Sequence, residues 1–144
     1  MTVYQISVFL ENRTGQLAEI AKILGDNGID MRAISIAETT DYGVLRLIVD
    51  QPQKATGILL ERGFVLSMTP VLLVAVHDQP GGLAPILRII AEGNIGVEYM
   101  YSLFTHVEGT AYMVFRVSEE EKFTTLMAQH GIAIVSGPEV GIQA

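Results

Sequence analysis

The sequence predicts an α+β protein made of two β-α-β-β-α-β repeats with antiparallel sheets. Three observations lead to this prediction. Short runs of alternating apolar and polar residues are typical of half-buried strands. Two of these runs end in a glycine-containing loop that leads directly into an amphipathic helix. The two loops are centred on Gly15 and Gly81, 66 residues apart, and neighbouring residues match at the same offset.

Composition excludes several classes of protein. Hydrophobic residues make up 49% of the 144 residues and charged residues 17%, which is typical of a chain that forms a packed core. The net charge of −7, with nine scattered basic residues, argues against nucleic-acid binding. Cysteine is absent, which excludes disulfides, thiolate metal sites and a cysteine nucleophile. The chain enters a strand pattern at once and has no apolar run of about 18 residues, so we expect a cytoplasmic protein without a membrane span.

The first half begins with an alternating strand and an amphipathic helix. Apolar residues at 17, 20, 21 and 24 form the helical stripe, whereas Gln16 and Glu19 are predicted to face largely away from it. Asn27-Gly28 is a typical helix stop. Strands are predicted at residues 4–10, 29–38, 44–49 and 64–68, with a hairpin connection at 39–43 and a second helix from Pro52 to Gly63.

The second half has the same order. Helices are predicted from Leu83 to the Gly93-Asn94 stop and from Ser118 to Gly131, and strands at 72–76, 97–105, 110–117 and 132–135. Ser118 and Glu121 fit a capping box, in which Ser118 is the N-cap. The glycines that end the second helices are 68 rather than 66 residues apart, so two residues are inserted between the third strand and the second helix. The C-terminal segment from residue 138 carries no strong signal.

Each repeat is therefore expected to be ferredoxin-like, with two helices on one face of a four-stranded antiparallel sheet. We place the repeats at residues 1–70 and 71–144. The strand around Tyr99 and Tyr101 is apolar on both sides, so the open sheet face needs a cover. Two arrangements satisfy this need: the halves pair side by side through their edges, or a second chain covers the open face.

The glycine loops are candidate binding sites. A strand that turns sharply into a helix leaves backbone N–H groups unpaired at the helix start, where they can bind a carboxylate. Gly15 and Gly81 lack a Cβ, so a ligand can approach the backbone closely. Asn12 and Asp78 occupy equivalent positions in the two loops, and Asp30 follows the first helix. Such side chains suit the ammonium of an α-amino acid whose carboxylate meets the loop amides.

The first loop, residues 7–15 followed by Gln16-Leu17-Ala18, closely resembles the opening of ACT domains. It is most similar to those of acetolactate synthase regulatory subunits and to the serine-sensing domain of phosphoglycerate dehydrogenase. The second loop, residues 77–83, is similar to the D-x-P-G-x-L form of the same motif. The resemblance covers almost the whole chain as two repeats. It implies a ferredoxin-like fold and a small effector, usually an amino acid, bound between ACT domains.

Carried onto this sequence, the family's ligand contacts fall on Asn12, Gly15 and the neighbouring loop amides. The position that supplies a partner-side asparagine in those relatives is Asp30 here and Gly96 in the second repeat. The first pocket therefore has a polar side chain at this position, and the second has none. The predicted ligand-binding residues are Asn12, Arg13, Thr14, Gly15, Gln16, Leu17, Asp30, Asp78, Gln79, Pro80, Gly81, Gly82 and Leu83.

The leading hypothesis is a non-catalytic, allosteric amino-acid sensor that forms a homodimer or regulates a metabolic enzyme. The alternative is a regulatory subunit of acetolactate synthase or of another amino-acid biosynthetic enzyme. A small enzyme on the same scaffold is the third interpretation, but no nucleophile–base pair or cofactor loop supports it. The three histidines belong to different elements and lack metal-ligand spacing, so neither a metal nor a cofactor is expected.

Overall fold

The computed structural model describes residues 2–11, 15–38 and 42–143. Within these ranges the chain alternates strands and helices in the predicted order. The elements are β1 (Val3–Glu11), α1 (Gln16–Asp26), β2 (Met31–Glu38), β3 (Tyr42–Val49), α2 (Pro52–Glu61), β4 (Leu66–His77), α3 (Ala84–Glu92), β5 (Val97–Ser102), β6 (Thr110–Val117), α4 (Glu120–Gln129), β7 (Ile134–Val135) and a short 3₁₀ helix (Pro138–Val140). None of the helices in these ranges is long and apolar enough to cross a bilayer.

The chain forms two compact units, each with the β-α-β-β-α-β order. The first contains residues 4–69 and 141–143, and the second contains residues 2–3 and 70–140. Each has two helices and antiparallel strands. The predicted tandem ferredoxin-like architecture is confirmed.

The sheet of the first unit has the strand order β2-β3-β1-β4. Ile6 of β1 lies opposite Leu47 of β3, and Leu47 lies opposite Ile34 of β2. The Phe9 N–H donates to the carbonyl of Val65, just before β4, at 2.9 Å. One face of this sheet packs against both helices in a core formed by Ile6, Val8, Ile20, Ile23, Leu24, Ile29, Leu45, Leu47, Val49, Ala55 and Leu59.

Helix α1 begins and ends at glycine-assisted turns. Gly15, at its N-cap, has φ +93°, and Gly28, after its C-terminus, has φ +69°. Both angles are in the left-handed region that L-residues with a Cβ disfavour. The Asn27 side chain donates to the carbonyl of Ile23 at 2.8 Å, which satisfies one of the last carbonyls of the helix. The predicted Asn27-Gly28 stop is therefore correct.

The second unit repeats this plan with the strand order β4-β6-β5, and β7 also pairs with β4. Phe115 of β6 and Phe123 of α4 are fully buried, and their ring centroids lie 5.5 Å apart. The contact joins sheet and helix at the centre of the core. That core consists of Leu72, Val74, Val76, Ile86, Ile89, Ile90, Ile95, Phe115, Val117, Phe123 and Met127.

Strand β4 differs from the sequence-based prediction. We predicted separate strands at 64–68 and 72–76, but residues 66–77 form one twelve-residue strand. Pro70 does not interrupt it, because proline favours an extended conformation in the residue before it and is tolerated where its missing N–H is not needed. Its carbonyl accepts a hydrogen bond from Nη1 of Arg116 at 3.1 Å.

The predicted capping box at Ser118 is wrong. Helix α4 begins at Glu120 with Glu119 at the N-cap, and no side chain caps it. The Ser118 hydroxyl instead accepts a hydrogen bond from the Gly96 N–H at 3.2 Å. The hydroxyl therefore ties the start of β5 to the end of β6. Glu120 and Glu121 still lie in the first turn, where their charge favours the helix dipole.

Residues 141–143, in the C-terminal segment that carried no signal in the sequence, belong to the first unit. Ile142 is only 2% exposed. The Gln143 N–H donates to the carbonyl of Asp50, at the end of β3, at 2.8 Å. One apolar side chain and one backbone bond therefore fix the segment.

We predict that Ile142→Ala lowers the free energy of unfolding by about 2–4 kcal/mol, because it removes buried methyl groups and leaves a cavity. Urea denaturation measures the change. Gln143→Ala is the matched control: its exposed side chain is removed but its backbone donor stays, so its stability should lie within about 0.5 kcal/mol of wild type. Equal stabilities of the two variants would contradict the assigned role of the C-terminal segment.

Candidate functional site

The start of α1 is the first candidate site. The carbonyl of Gly15 accepts a hydrogen bond from the Glu19 N–H at 3.0 Å. A Cβ added to Gly15 would have no heavy atom within 4 Å apart from its chain neighbours. The first turn follows with Gln16, which is buried, and Leu17, which is 38% exposed. The predicted residues Asn12, Arg13 and Thr14 lie outside the described residues. The helix start thus has open space beside N–H groups that an α-helix leaves unpaired.

In the equivalent loop of the second unit, several backbone amides donate hydrogen bonds within the protein. The Asp78 N–H donates to the carbonyl of Gly109 at 3.0 Å, and the Gln79 N–H donates to that of His77 at 2.9 Å. The Gly82 N–H donates to the Gln79 carbonyl at 3.0 Å. Pro80 has no N–H to offer. Most of the predicted amide donors of this loop are therefore already bonded within the protein.

Two glycines of this loop are needed for different reasons. Gly81 has φ +79°, with open space where a Cβ would lie. Gly82 has no such φ, but a Cβ there would lie 1.9 Å from the carbonyl oxygen of His77. The sequence analysis used the missing Cβ of Gly81 and missed the steric requirement at Gly82.

Asp30 lies in an exposed position just before β2. Its N–H donates to Oδ1 of Asp50 at 2.9 Å, and the Asp50 N–H donates back to the Asp30 carbonyl at 3.0 Å. Gly96 and Ser118 make the same reciprocal pair in the second unit, at 3.2 and 2.9 Å. The reciprocal hydrogen bonds between the start of the second strand and the end of the third are thus common to both repeats. Only Asp30 adds a carboxylate, which accepts a hydrogen bond from Nη1 of Arg32 at 2.7 Å.

A cavity of about 240 Å³ lies beside the start of α1, within the first unit. It is formed by the end of β1, the first turn of α1 and the connection from α2 to β4. Two aromatic rings contribute apolar surface, and an amide, two carboxylates and a guanidinium contribute polar groups. The lining residues are Phe9, Glu11, Gln16, Glu19, Arg62, Gly63, Phe64 and Val65.

Gln16 is the buried polar residue of this cavity. It is 8% exposed, and its Oε1 is buried without a hydrogen-bond partner. An unpaired buried acceptor costs about 1–3 kcal/mol. The prediction that Gln16 faces away from the apolar stripe is wrong, because position 16 lies one turn before Ile20 and two before Leu24, on the same helix face. That spacing was visible in the sequence.

We predict that Gln16→Met raises the free energy of unfolding of the ligand-free protein by about 1 kcal/mol, since a flexible apolar side chain replaces the unpaired amide. Urea denaturation measures the effect. Ala18→Met, at an exposed position of the same helix, should change stability by less than about 0.5 kcal/mol. A less stable Gln16→Met protein would contradict this account of the amide.

We also predict that Gly82→Ala lowers the free energy of unfolding by about 3 kcal/mol or more, because the added methyl group must displace backbone. Gly81→Ala should cost about 1–2 kcal/mol, from the positive φ alone. Gly57→Ala, in the exposed middle of α2, should instead stabilise by about 0.5–1 kcal/mol. If Gly81→Ala proved more damaging than Gly82→Ala, the steric argument would be wrong.

Comparisons with known proteins assign this chain to a family. The family model described as an ACT domain pair matches residues 1–140. A crystal structure of a protein from Bacteroides thetaiotaomicron is 31% identical, with a TM-score of 0.90 over 98% of this chain and 96% of that one. No protein of curated function matches the sequence.

Two more distant structures share the fold. The ligand-free regulatory subunit of aspartate kinase from Thermus thermophilus is 17% identical, with a TM-score of 0.63 over 88% of this chain and 91% of that one. The corresponding subunit from Thermus flavus is also 17% identical, with a TM-score of 0.56 over 88% and 90% of the two chains. The match along residues 1–140 and the duplicated β-α-β-β-α-β order agree: the chain belongs to the ACT domain family and is built as an ACT domain pair.

Proposed function

We propose that this chain is a non-catalytic regulatory protein that binds an amino acid or a similar small carboxylate. ACT domain pairs are a regulatory type of domain. In the proposal, residues 1–70 and 71–144 are the two ACT repeats of a cytoplasmic homodimer. The ligand favours one state of assembly, with a second copy or with a metabolic enzyme, because it binds that state more tightly.

The observation that carries the proposal is the open space around Gly15 at the start of α1. Unpaired N–H groups and the helix dipole attract a carboxylate there. Asn12 and Asp30 complete the proposed site by meeting the ammonium group. Because the Asp30 carboxylate is paired with Arg32, the ligand must share or displace that contact. The Asp30 side chain of this pair is exposed, and exposed ion pairs contribute little to stability. Displacing Arg32 from Asp30 therefore costs little free energy.

The second repeat is the weaker candidate in this proposal. Its loop amides at Asp78, Gln79 and Gly82 are bonded internally, and Gly96 offers no carboxylate opposite. We infer that, where one site per chain is filled, it is the first. The second loop then serves mainly to connect β4 and α3.

A second candidate function is that of a regulatory subunit of acetolactate synthase or of another amino-acid biosynthetic enzyme. The resemblance of the first loop to that family's opening favours it. The proline-glycine loop at residues 80–81 argues against the acetolactate synthase form, in which we do not expect the motif to be repeated. Co-purification of a large thiamine-diphosphate enzyme with the tagged chain would decide for it.

We predict that at least one of the twenty common L-amino acids raises the melting temperature of the full chain. At about 100 times its dissociation constant, a ligand that binds only the folded state adds about 2.7 kcal/mol. Differential scanning calorimetry with each amino acid measures the effect. The absence of a shift with all twenty would refute the sensor proposal.

The amino acid that raises the melting temperature is then tested on variants of the two loops. Asn12→Ala should abolish the shift, whereas Asp78→Ala, the equivalent change in the second loop, should leave it intact. Both changes replace a polar side chain, so neither should remove apolar packing from the core. An unchanged response in Asn12→Ala would remove that residue from the site.

A further inference from the structure

Three side chains from the end of β3 and the start of α2 hold the loop between α1 and β2, residues 27–30. We call them the clamp: Asp50, Gln51 and Lys54. Oδ1 of Asp50 accepts a hydrogen bond from the Asp30 N–H at 2.9 Å. Gln51 donates from Nε2 to the Gly28 carbonyl at 3.1 Å. Lys54 donates from Nζ to the Asn27 carbonyl at 2.8 Å. The position of Asp30 therefore depends on a residue 20 positions farther along the chain.

The second repeat keeps the reciprocal pair at the start of its second strand but attaches its loop more simply. At the position of Gln51, offset by 68 residues, stands Glu119, whose carboxylate has no N–H to donate to a carbonyl. The equivalent of Lys54 is Lys122, and its Nζ lies 3.9 Å from Oε2 of Glu119. The stronger attachment of the loop is therefore a property of the first repeat rather than of the fold.

The C-terminal end of the chain attaches to the clamp. Residues 141–143, which we call the latch, belong to the first unit. The Gln143 N–H donates to the carbonyl of Asp50 at 2.8 Å, and Ile142 is only 2% exposed. Gly141 lets the chain turn into this position, since its φ of +77° is in the left-handed region. Asp50 thus connects the latch, through its carbonyl, to the loop, through its carboxylate.

The latch is held by few contacts. Those described for it are the buried side chain of Ile142 and the backbone hydrogen bond of Gln143. Chain ends are ordered only by the contacts that tie them down. Segments with few buried contacts open locally, at a lower free energy than the core. The latch is therefore a two-state element, docked or released, on a unit that stays folded.

The docked latch and the attached loop act on the same residue, Asp50. A hydrogen bond to its carbonyl restricts its backbone and therefore the direction of its carboxylate. When the latch is released, Asp50 gains freedom and holds the Asp30 N–H for a smaller fraction of the time. The coupling must also work in reverse, because two linked equilibria bias each other by the same factor.

We propose that the latch is a conformational switch that controls the attachment of the loop between α1 and β2. Docked, it keeps Asp50 oriented and Asp30 in place before β2. Released, it frees the loop while both units remain folded. The switch goes beyond the proposed function, because it needs no ligand. Its consequence for binding rests on the proposed function: release loosens the carboxylate that meets the ammonium of the ligand.

Amide hydrogen exchange of the ligand-free full chain, followed by nuclear magnetic resonance, tests the switch. Gln143→Pro removes the N–H that binds the Asp50 carbonyl, whereas Gln143→Ala, the matched control, keeps it. In Gln143→Pro the Asp30 amide should exchange about tenfold faster than in wild type, the change expected for the loss of one hydrogen bond. In Gln143→Ala it should exchange at the wild-type rate.

Two other amides show whether the effect is local. The Gly96 N–H makes the equivalent bond to Ser118 in the second unit. The Phe9 N–H, which donates to the carbonyl of Val65, lies in the sheet of the first unit. Neither should exchange faster in Gln143→Pro. An equal acceleration of Phe9 and Asp30 would mean that the substitution only destabilises the first unit, and it would overturn the switch.

Variants of Asp50 test the reverse direction. Asp50→Ala removes the acceptor of the Asp30 N–H, so the Gln143 amide should exchange about tenfold faster, by reciprocity. Asp50→Asn keeps an acceptor oxygen and should protect Gln143 as wild type does. If Gln143 stays protected in Asp50→Ala, or Asp30 in Gln143→Pro, the latch and the loop are independent and the switch is refuted. Because no ligand is present, that result would leave the proposed function standing, and a failure of all twenty amino acids in calorimetry would leave the switch standing.

Discussion

The tight turn from strand to helix is the constraint on which each repeat depends. A helix can pack its apolar face back on the strand that precedes it only if the connection is short. In the first repeat the turn relies on the left-handed Gly15, and in the second on a glycine that lies against a carbonyl oxygen, Gly82. Once the turn is fixed, the helix start lies at one end of the sheet, where an α-helix leaves its first N–H groups without partners inside the helix. The fold requirement and the candidate binding chemistry therefore come from the same few residues.

The two repeats share this turn but carry different polar side chains around it. In both, a reciprocal backbone and side-chain pair ties the start of the second strand to the end of the third, through Asp50 in one and Ser118 in the other. Around that shared frame, the first repeat has gained or kept groups that the second lacks, such as Asp30 and Arg62. Duplication thus preserved the packing and let the surface chemistry diverge. Any functional test should treat the repeats as unequal.

Sequence periodicity predicted the order of the elements because helix and strand periods are imposed by burial, and both cores are strongly apolar. It failed where several local conformations suit the same residues. The Ser118 hydroxyl had two acceptable roles, and the backbone of Gly96 determined which it took. The predicted strands at 64–68 and 72–76 proved to be parts of one strand, because an extended strand tolerates Pro70. Of the candidate site, the glycine turns could be predicted, whereas the cavity could not, since it brings together residues more than forty positions apart in the chain.

The position of the C-terminal segment has a consequence for biosynthesis. Ile142 and Gln143 belong to the unit formed mainly by residues 4–69, and they close on Asp50, one member of its reciprocal pair. Domains usually fold in the order in which the ribosome releases them. Here the N-terminal repeat acquires the contacts of Ile142 and Gln143 only after these residues have left the exit tunnel. The first repeat therefore completes its packing only after the second repeat has been synthesised.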